Sequence, residues 1–285
     1  MDKQELVLEN NNLTATISLR GAELLSFKKD NKEFIWNGES FWKGHAPILF
    51  PVCGGLINGK YYYNDVGHEM TKHGFIRFQH FNVVEQTKNK VVLCFEDNKK
   101  TFKCFPFHFK FFVTYELGDE LNIKYEIVNL SKEEMYFNVG SHEGYFLHDA
   151  FENYYVKFDK DEKLYTLLLD SSLLSHDKMD LTKLGNCVPL NYNDYQDDNS
   201  LIFENLKSRK ATICHKKSGD MLDICFPDAN NVIMWSIPNS GFICIEPWNG
   251  LPDYVDSKLD IKNKKSVKIL LSGQTFKFVH SIRIR

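Results

Sequence analysis

Three short segments of the chain concentrate side chains that can transfer protons or hold a polar ligand. They are residues 72–77 (Lys-His-Gly-Phe-Ile-Arg), 140–146 (Gly-Ser-His-Glu-Gly-Tyr-Phe) and 244–253 (Cys-Ile-Glu-Pro-Trp-Asn-Gly-Leu-Pro-Asp). Histidine and glutamate are common general acids and bases, and a neighbouring glycine lets the backbone approach a ligand closely. His73, His142 and Glu246 are therefore the candidates for chemistry.

Glu246 follows the apolar run 242–245 and precedes Pro247 and Trp248. A carboxylate held near apolar and aromatic surface can have its pKa raised towards that of a working base. The face of Trp248 could stack on the C–H side of a sugar ring. The alternative interpretation is that Glu246 only ends a strand and that the histidines are structural hydrogen-bonding groups.

Other kinds of catalytic site have little support. His68 and His73 resemble a zincin pair, but their spacing is five residues instead of four, and Gly67 and Gly74 argue against a helix. The chain has no G-x-S-x-G nucleophile elbow and no glycine-rich phosphate loop after a strand. We therefore predict neither a metal site nor a cofactor.

The secondary-structure elements that position these residues are predicted to be β-strands. Apolar residues alternate with polar ones in segments 13–18, 109–115, 121–128, 222–226 and 276–282, which is typical of half-buried strands. Turn signals such as Gly118-Asp119 and Ser218-Gly219 separate them. The best helical candidate, residues 170–184, has a poor helical period. The pattern predicts an all-β chain, a large antiparallel β-sandwich forming one domain over residues 1–285.

Composition excludes several classes of partner. The 285 residues carry a formal net charge of −3, so no basic excess points to nucleic acid. No apolar run approaches the roughly 20 residues of a membrane-spanning helix, and the N-terminus lacks a signal-peptide pattern. The seven cysteines form no C-x-x-C pair and indicate reduced thiols in the cytoplasm. Oligomeric state has no signature in the sequence.

Taken together, the motifs resemble those of the aldose 1-epimerase (galactose mutarotase-like) superfamily, nearest its bacterial LacX-like branch. The resemblance runs from about residue 6 to the C-terminus. The matching segments, in chain order, are Trp-Lys-Gly-His-Ala-Pro-Ile-Leu-Phe-Pro at 42–51, His-Gly-Phe-Ile-Arg at 73–77, Gly-Ser-His at 140–142 and Cys-Ile-Glu-Pro-Trp at 244–248.

The resemblance implies a β-supersandwich that interconverts the α and β anomers of an aldohexose without a cofactor. If the matching residues have the roles they have in the family, Glu246 would be the base and His142 the acid. His73 would contact the ring side of the sugar, and Arg77 would line the pocket. We expect Glu246 and His142 to face each other across one pocket at strand ends, with Glu246 ionised and His142 protonated.

Departures from the family pattern bear on the substrate. Gly55 stands where the branch often has arginine, Asn199 where many relatives carry a ligand-binding aspartate, and Glu143 where proline is common. Relatives acting on hexose 6-phosphates carry arginine at the position of Lys43. The substrate-binding candidates are therefore His73, Arg77, Lys43, Lys72, Asn199 and Trp248.

Three interpretations remain open. The first is a mutarotase for a free aldohexose. The second is a mutarotase for a hexose 6-phosphate, with Lys43, Lys72 and Arg77 near the phosphate. The third is a non-catalytic carbohydrate-binding sandwich, because a fold does not determine a function. A retaining glycosidase is disfavoured, since it needs two close carboxylates and only Glu246 lies in a motif.

Overall fold

A computed structural model describes residues 5–39, 41–198 and 200–285, and within these the chain is built almost entirely from β-strands. The first strands in chain order are β1 (Glu5–Asn10), β2 (Leu13–Ser18), β3 (Leu24–Lys29), β4 (Lys32–Glu33), β5 (Ile48–Leu49), β6 (Lys60–Tyr63), β7 (Val66–Glu69), β8 (Asn82–Gln86), β9 (Lys90–Glu96), β10 (Phe109–Leu117), β11 (Leu121–Asn129) and β12 (Met135–Phe137). The later ones are β13 (Val139–Ser141), β14 (Glu143–Phe146), β15 (Tyr154–Phe158), β16 (Tyr165–Asp170), β17 (Leu173–Asp180), β18 (Cys187–Pro189), β19 (Leu201–Phe203), β20 (Lys210–His215), β21 (Gly219–Cys225), β22 (Asn231–Trp235), β23 (Phe242–Asn249), β24 (Lys268–Leu270) and β25 (Thr275–Ile284).

Helical structure in the described residues is limited to α1 (Lys99–Cys104) and short 3₁₀ turns. The Asn98 side chain caps α1 by accepting hydrogen bonds from the backbone N–H groups of Lys100 and Thr101. The 3₁₀ turns are Ile57–Gly59, Ile76–Phe78, Phe151–Asn153, Thr182–Leu184, Tyr192–Asp198 and Ile261–Asn263. None of these helices has the length and apolar character needed to cross a membrane.

Two large sheets make up the sandwich. The first has nine strands in the order β18-β15-β20-β21-β25-β11-β10-β9-β8. The second has the order β17-β16-β19-β22-β23-β13-β5, and β14 also pairs with β23. Small sheets of β1–β4, β12 with β24 and β6 with β7 complete the fold. All ladders between these strands are antiparallel, which confirms the predicted fold class. That the chain is one domain stays a prediction.

Alternation in the sequence is reproduced as alternation in burial. In β11, Leu121, Ile123, Tyr125 and Ile127 are buried, whereas the residues between them are partly or fully exposed. These buried side chains face the second sheet and pack into one large hydrophobic cluster that includes residues from Leu8 to Ile284. Burial of apolar area on this scale is the main stabilising contribution to such a fold.

The predicted helical candidate at 170–184 is wrong. Residues 165–180 form the hairpin β16–β17, turning at Ser171 and Ser172, whose φ angles are 52° and 71°. The poor helical period reflects this pairing, because β16 and β17 hydrogen-bond to each other in an antiparallel register. The correction matters for the site, since the turn brings Ser172 to the main pocket.

Candidate active site

The pocket lies on the outer face of the eight-stranded sheet. In β23, Ile243 and Ile245 point into the sandwich core, so Cys244, Glu246 and Trp248 occupy the opposite face. The cavity has a volume of about 280 Å³, at the small end of the roughly 300–1,000 Å³ range of ligand pockets. Its lining residues are Trp42, Pro47, Gly54, Lys72, His73, Arg77, His142, Leu169, Ser172, Ser200, Ile202, Ile233, Trp235, Glu246, Trp248 and Pro252.

His142 and Glu246 meet because of strand register. β13 and β14 pair with the same strand, with Gly140 opposite Trp248 and Glu143 opposite Ile245. The same register continued through the gap places His142 opposite Glu246, and side chains opposite each other share one face. His142 Nε2 lies 3.4 Å from Glu246 Oε2. His142 lies in the break between β13 and β14, whereas Glu246 lies in the middle of β23. The expected position at a strand end is therefore correct for His142 but not for Glu246.

Aromatic rings enclose the imidazole of His142. Trp42 stacks on it with ring centroids 5.0 Å apart, and Trp235 meets it edge-on at 5.6 Å. The Trp42 segment is itself anchored, since Trp36 Nε1 donates a hydrogen bond of 2.8 Å to the Trp42 carbonyl. These ring contacts limit the orientations that the imidazole of His142 can adopt.

His73 is held in one orientation by Gly54. The His73 backbone N–H donates to the Gly54 carbonyl at 2.9 Å, and the Gly54 N–H donates to His73 Nδ1 at 3.1 Å. Because Nδ1 accepts a hydrogen bond, the proton of the neutral ring is on Nε2. Burial lowers the pKa of His73, with smaller contributions from nearby positive groups. His73 therefore presents a neutral N–H donor, in a ring 5.5 Å from that of His142.

Two glycines are required by close approaches around these rings. Gly74 has a φ of 70°, and a Cβ there would lie 2.1 Å from the Phe50 carbonyl oxygen. A Cβ on Gly140 would lie 2.6 Å from Trp248 Cδ1. Only glycine allows these contacts. Gly74 thus helps to position His73, and Gly140 makes room for Trp248. Trp248 Nε1 also donates a hydrogen bond of 3.2 Å to the Ser141 carbonyl.

Burial shifts the pKa values of the central pair in opposite directions. It raises the pKa of Glu246 well above its usual value, a shift that the charge of Lys72 partly opposes. It lowers the pKa of His142 to about 3. Both shifts favour the state in which the pair holds one proton, on Glu246, and both groups are neutral. This is the reverse of the charge distribution that the sequence had led us to expect, because water is excluded from both groups.

The remaining binding candidates separate into two groups. Lys72 and Arg77 line the pocket, and Arg77 Nη2 donates to the Lys72 carbonyl at 2.9 Å. No carboxylate of the described residues forms an ion pair with Arg77. Lys43 is exposed and is absent from the lining, because its neighbour Trp42 turns inward instead. Asn199 lies outside the described residues.

Sequence reasoning missed several lining residues. Trp42 belongs to the motif at residues 42–51, but only its stacking on His142 shows that it lies at the pocket. Trp235 and Ile233 lie in β22 directly opposite Cys244 and Glu246, so strand pairing alone brings them to the pocket. Ser172 arrives through a hairpin turn, a long-range placement for which the sequence carried no signal.

Comparison with known proteins places the chain in a family. The profile of the aldose 1-epimerase family matches residues 4–258. The chain is similar to the chromosomal protein LacX of Lactococcus lactis subsp. lactis, with 29% identity over 97% of this chain and 98% of that protein.

Two solved structures superpose on nearly the whole chain. A galactose mutarotase related enzyme from Lactobacillus acidophilus superposes with a TM-score of 0.93 at 30% identity, over 99% of this chain and 97% of that one. A galactose mutarotase-like protein from Lactobacillus casei superposes with a TM-score of 0.94 at 28% identity, over 99% and 100% of the two chains.

Proposed function

The chain belongs to the aldose 1-epimerase family, and on that premise we propose that it is a mutarotase that interconverts the α and β anomers of an aldohexose. Glu246 is the proposed base and His142 the proposed acid. His73, Trp248, Arg77 and Lys72 are the proposed sugar contacts. We also propose a cytoplasmic location, because the chain has no C-x-x-C pair and most of its cysteines lie within apolar runs, which is typical of reduced core residues.

The observation that carries the proposal is the pairing of His142 with Glu246 on the floor of a pocket sized for a single sugar ring. The two side chains are buried and 3.4 Å apart. In an aldopyranose, the C1 hydroxyl oxygen and the ring oxygen are bonded to the same carbon. Two groups at this spacing can therefore contact both oxygens of one sugar at once.

The reaction then needs only the one proton of the pair. The C1 hydroxyl donates to Glu246 Oε2, which accepts no hydrogen bond from the described residues, and this contact lowers the pKa of the carboxyl. The pair's proton moves to His142. Glu246 takes the hydroxyl proton, the C1–O5 bond breaks, and His142 protonates O5. After rotation about the C1–C2 bond, the reverse transfers close the ring in the other anomer.

Polarimetry on freshly dissolved α-glucose and α-galactose tests this proposal. We expect the protein to accelerate the change of optical rotation towards the equilibrium value in proportion to its concentration. A sugar-binding sandwich without catalysis would leave the spontaneous rate unchanged while still binding the sugar in calorimetry. That outcome would overturn the enzymatic assignment and leave the carbohydrate pocket intact.

Lys72 and Arg77 favour a second candidate, a hexose 6-phosphate mutarotase. In the part of the chain that the structure describes, the buried Nε of Arg77 has no hydrogen-bond partner, and the guanidinium donates to the backbone carbonyl of the exposed Lys72. Arginine offers a planar donor set that matches phosphate, and lysine adds a point charge. Both groups stand on the pocket wall, where a substituent at one end of the sugar could reach them.

The phosphate prediction uses a matched pair of variants. If the protein recognises the 6-phosphate, its KM for glucose 6-phosphate is lower than its KM for glucose. Arg77→Met should then raise the KM for glucose 6-phosphate roughly 10- to 100-fold, because a hydrogen bond to a charged group contributes about 1.5–3 kcal/mol. Lys43→Met, at an exposed position outside the pocket, leaves it unchanged. Steady-state assays at low and high salt measure both. Equal KM values for glucose and glucose 6-phosphate would remove this candidate.

A further inference from the structure

A third ligand-type side chain lies beside the proposed acid/base pair. Cys244 is two residues before Glu246 on the same face of β23 and is fully buried. Its thiol, His142 and Glu246 offer ligand atoms that all lie within 4.8 Å of one another, the one such group of three among the described residues. This combination of nitrogen, sulfur and oxygen donors is typical of zinc sites.

We propose that His142, Cys244 and Glu246 form an inhibitory binding site for a thiophilic divalent cation, for which Zn²⁺ is the test ion. Metal binding requires only the three side chains, whereas its inhibitory effect rests on the proposed function. Bound metal would occupy both members of the acid/base pair, so that neither could reach a sugar.

The geometry fits a tetrahedral ion. Zinc–nitrogen and zinc–sulfur bonds of about 2.0–2.3 Å place two ligand atoms on one ion about 3.3–3.8 Å apart. The 3.4 Å between His142 Nε2 and Glu246 Oε2 already has this spacing. The Cys244 sulfur needs a shift of at most about 1 Å, given the 4.8 Å limit and these bond lengths.

An unsatisfied acceptor supports the site independently. Glu246 is 1% exposed, and its Oε2 accepts no hydrogen bond from the described residues. A buried carboxylate oxygen without a partner is costly unless it binds a proton, a donor or a metal. His142 and Glu246 line the pocket, whereas Cys244 is fully buried outside its lining. The fourth tetrahedral position therefore faces the pocket and is open to water, as in sites with three protein ligands.

Charge and ligand softness select the ion. With Cys244 and Glu246 deprotonated and His142 neutral, the two negative charges neutralise Zn²⁺. Thiolate and imidazole favour zinc over Mg²⁺ and Ca²⁺, which prefer oxygen ligands. Lys72 and Arg77 face the same pocket and oppose a cation, His73 is neutral, and Glu143 lies on the other face of the sheet.

Binding must displace protons from the site. Zinc binds the thiolate and the carboxylate, so protons on Cys244 and Glu246 must leave when the metal binds. Zinc affinity is therefore expected to increase with pH, with up to two protons released per ion bound. Calorimetry in buffers of different ionisation enthalpy measures that release.

The test uses two cysteine variants of the full chain. Cys244→Ser should weaken Zn²⁺ binding by roughly 100-fold or more, since even supporting residues of metal sites contribute 10- to 100-fold. Cys53→Ser is the matched control, because Cys53 is also buried near Glu246 but is not one of the three ligands. It should bind Zn²⁺ like the unmodified protein, and Mg²⁺ should bind to none of them.

Activity provides the second readout. Zn²⁺ should inhibit mutarotation by the unmodified protein and by Cys53→Ser, with recovery on adding a chelator, whereas Cys244→Ser should stay active at the same concentration. Equal zinc affinity in Cys244→Ser, or no one-to-one binding by the unmodified protein, would overturn the proposal. If all three proteins lack mutarotase activity, the proposed function fails but calorimetry still decides the metal site.

Discussion

Glu246→Gln is expected to reduce the rate of mutarotation about 10²- to 10⁴-fold, the contribution of one general acid or base. Glutamine keeps the size of the side chain and can still hydrogen-bond a sugar hydroxyl, so sugar affinity should change little. His142→Asn should have a similar effect, because the proton must pass through both groups. Polarimetry measures the rate and calorimetry measures the affinity for the sugar.

The control for this experiment is Glu69→Gln, which alters an exposed carboxylate outside the main pocket and should leave the rate unchanged. The pH profile adds an independent check. Since the pKa of His142 is lowered to about 3 and that of Glu246 is raised, the one-proton state persists over a wide range. The acid limb of kcat/KM should therefore lie near pH 3 in protein that circular dichroism shows to be folded. Near-normal mutarotation by folded Glu246→Gln would refute the mechanism.

Glu143→Met is expected to destabilise the fold by about 3–5 kcal/mol, the usual cost of removing one partner from a buried ionisable pair. Glu143 Oε1 lies 2.8 Å from His280 Nε2, and the two residues are 1% and 0% exposed. This contact joins β14 of one large sheet to β25 of the other. Methionine cannot accept the hydrogen bond, so the buried imidazole of His280 is left unpaired. Urea unfolding measures the change.

A double variant separates this pairing from general packing effects. Glu143→Met combined with His280→Leu removes both polar groups and should cost less than Glu143→Met alone, because no buried polar group is orphaned. Glu143→Gln, which keeps an acceptor oxygen, should cost less still. Additive losses in the double variant would show that the pair contributes nothing specific.

The sequence alone determined the fold class and the main chemical residues of the proposed site. Alternation in segments such as 121–128 follows from the two-residue repeat of a strand, which is a local property. The segments His73-Gly74, Gly140-Ser141-His142 and Glu246-Pro247-Trp248 marked His73, His142, Glu246 and Trp248 as candidates. Each of these residues lines the same pocket.

Local patterns were insufficient for features that depend on pairing between distant strands. Residues 170–184 lacked a clear period, and only the antiparallel contact with β16 makes them a hairpin. The exclusion of Lys43 and the inclusion of Trp42 depend on which side of a loop faces inward, a choice made by the contacts of Trp42 with Trp36 and His142.

Tertiary structure also decided the state of the central pair. The sequence suggested an ionised Glu246 and a protonated His142. Register places them opposite each other on a buried sheet face, where exclusion of water favours the neutral forms. Cys244 became a ligand candidate for the same reason, since a period of two puts it beside Glu246 only once both faces of β23 are known. Solvent exclusion and strand register are properties of the assembled sandwich, and no single segment contains them.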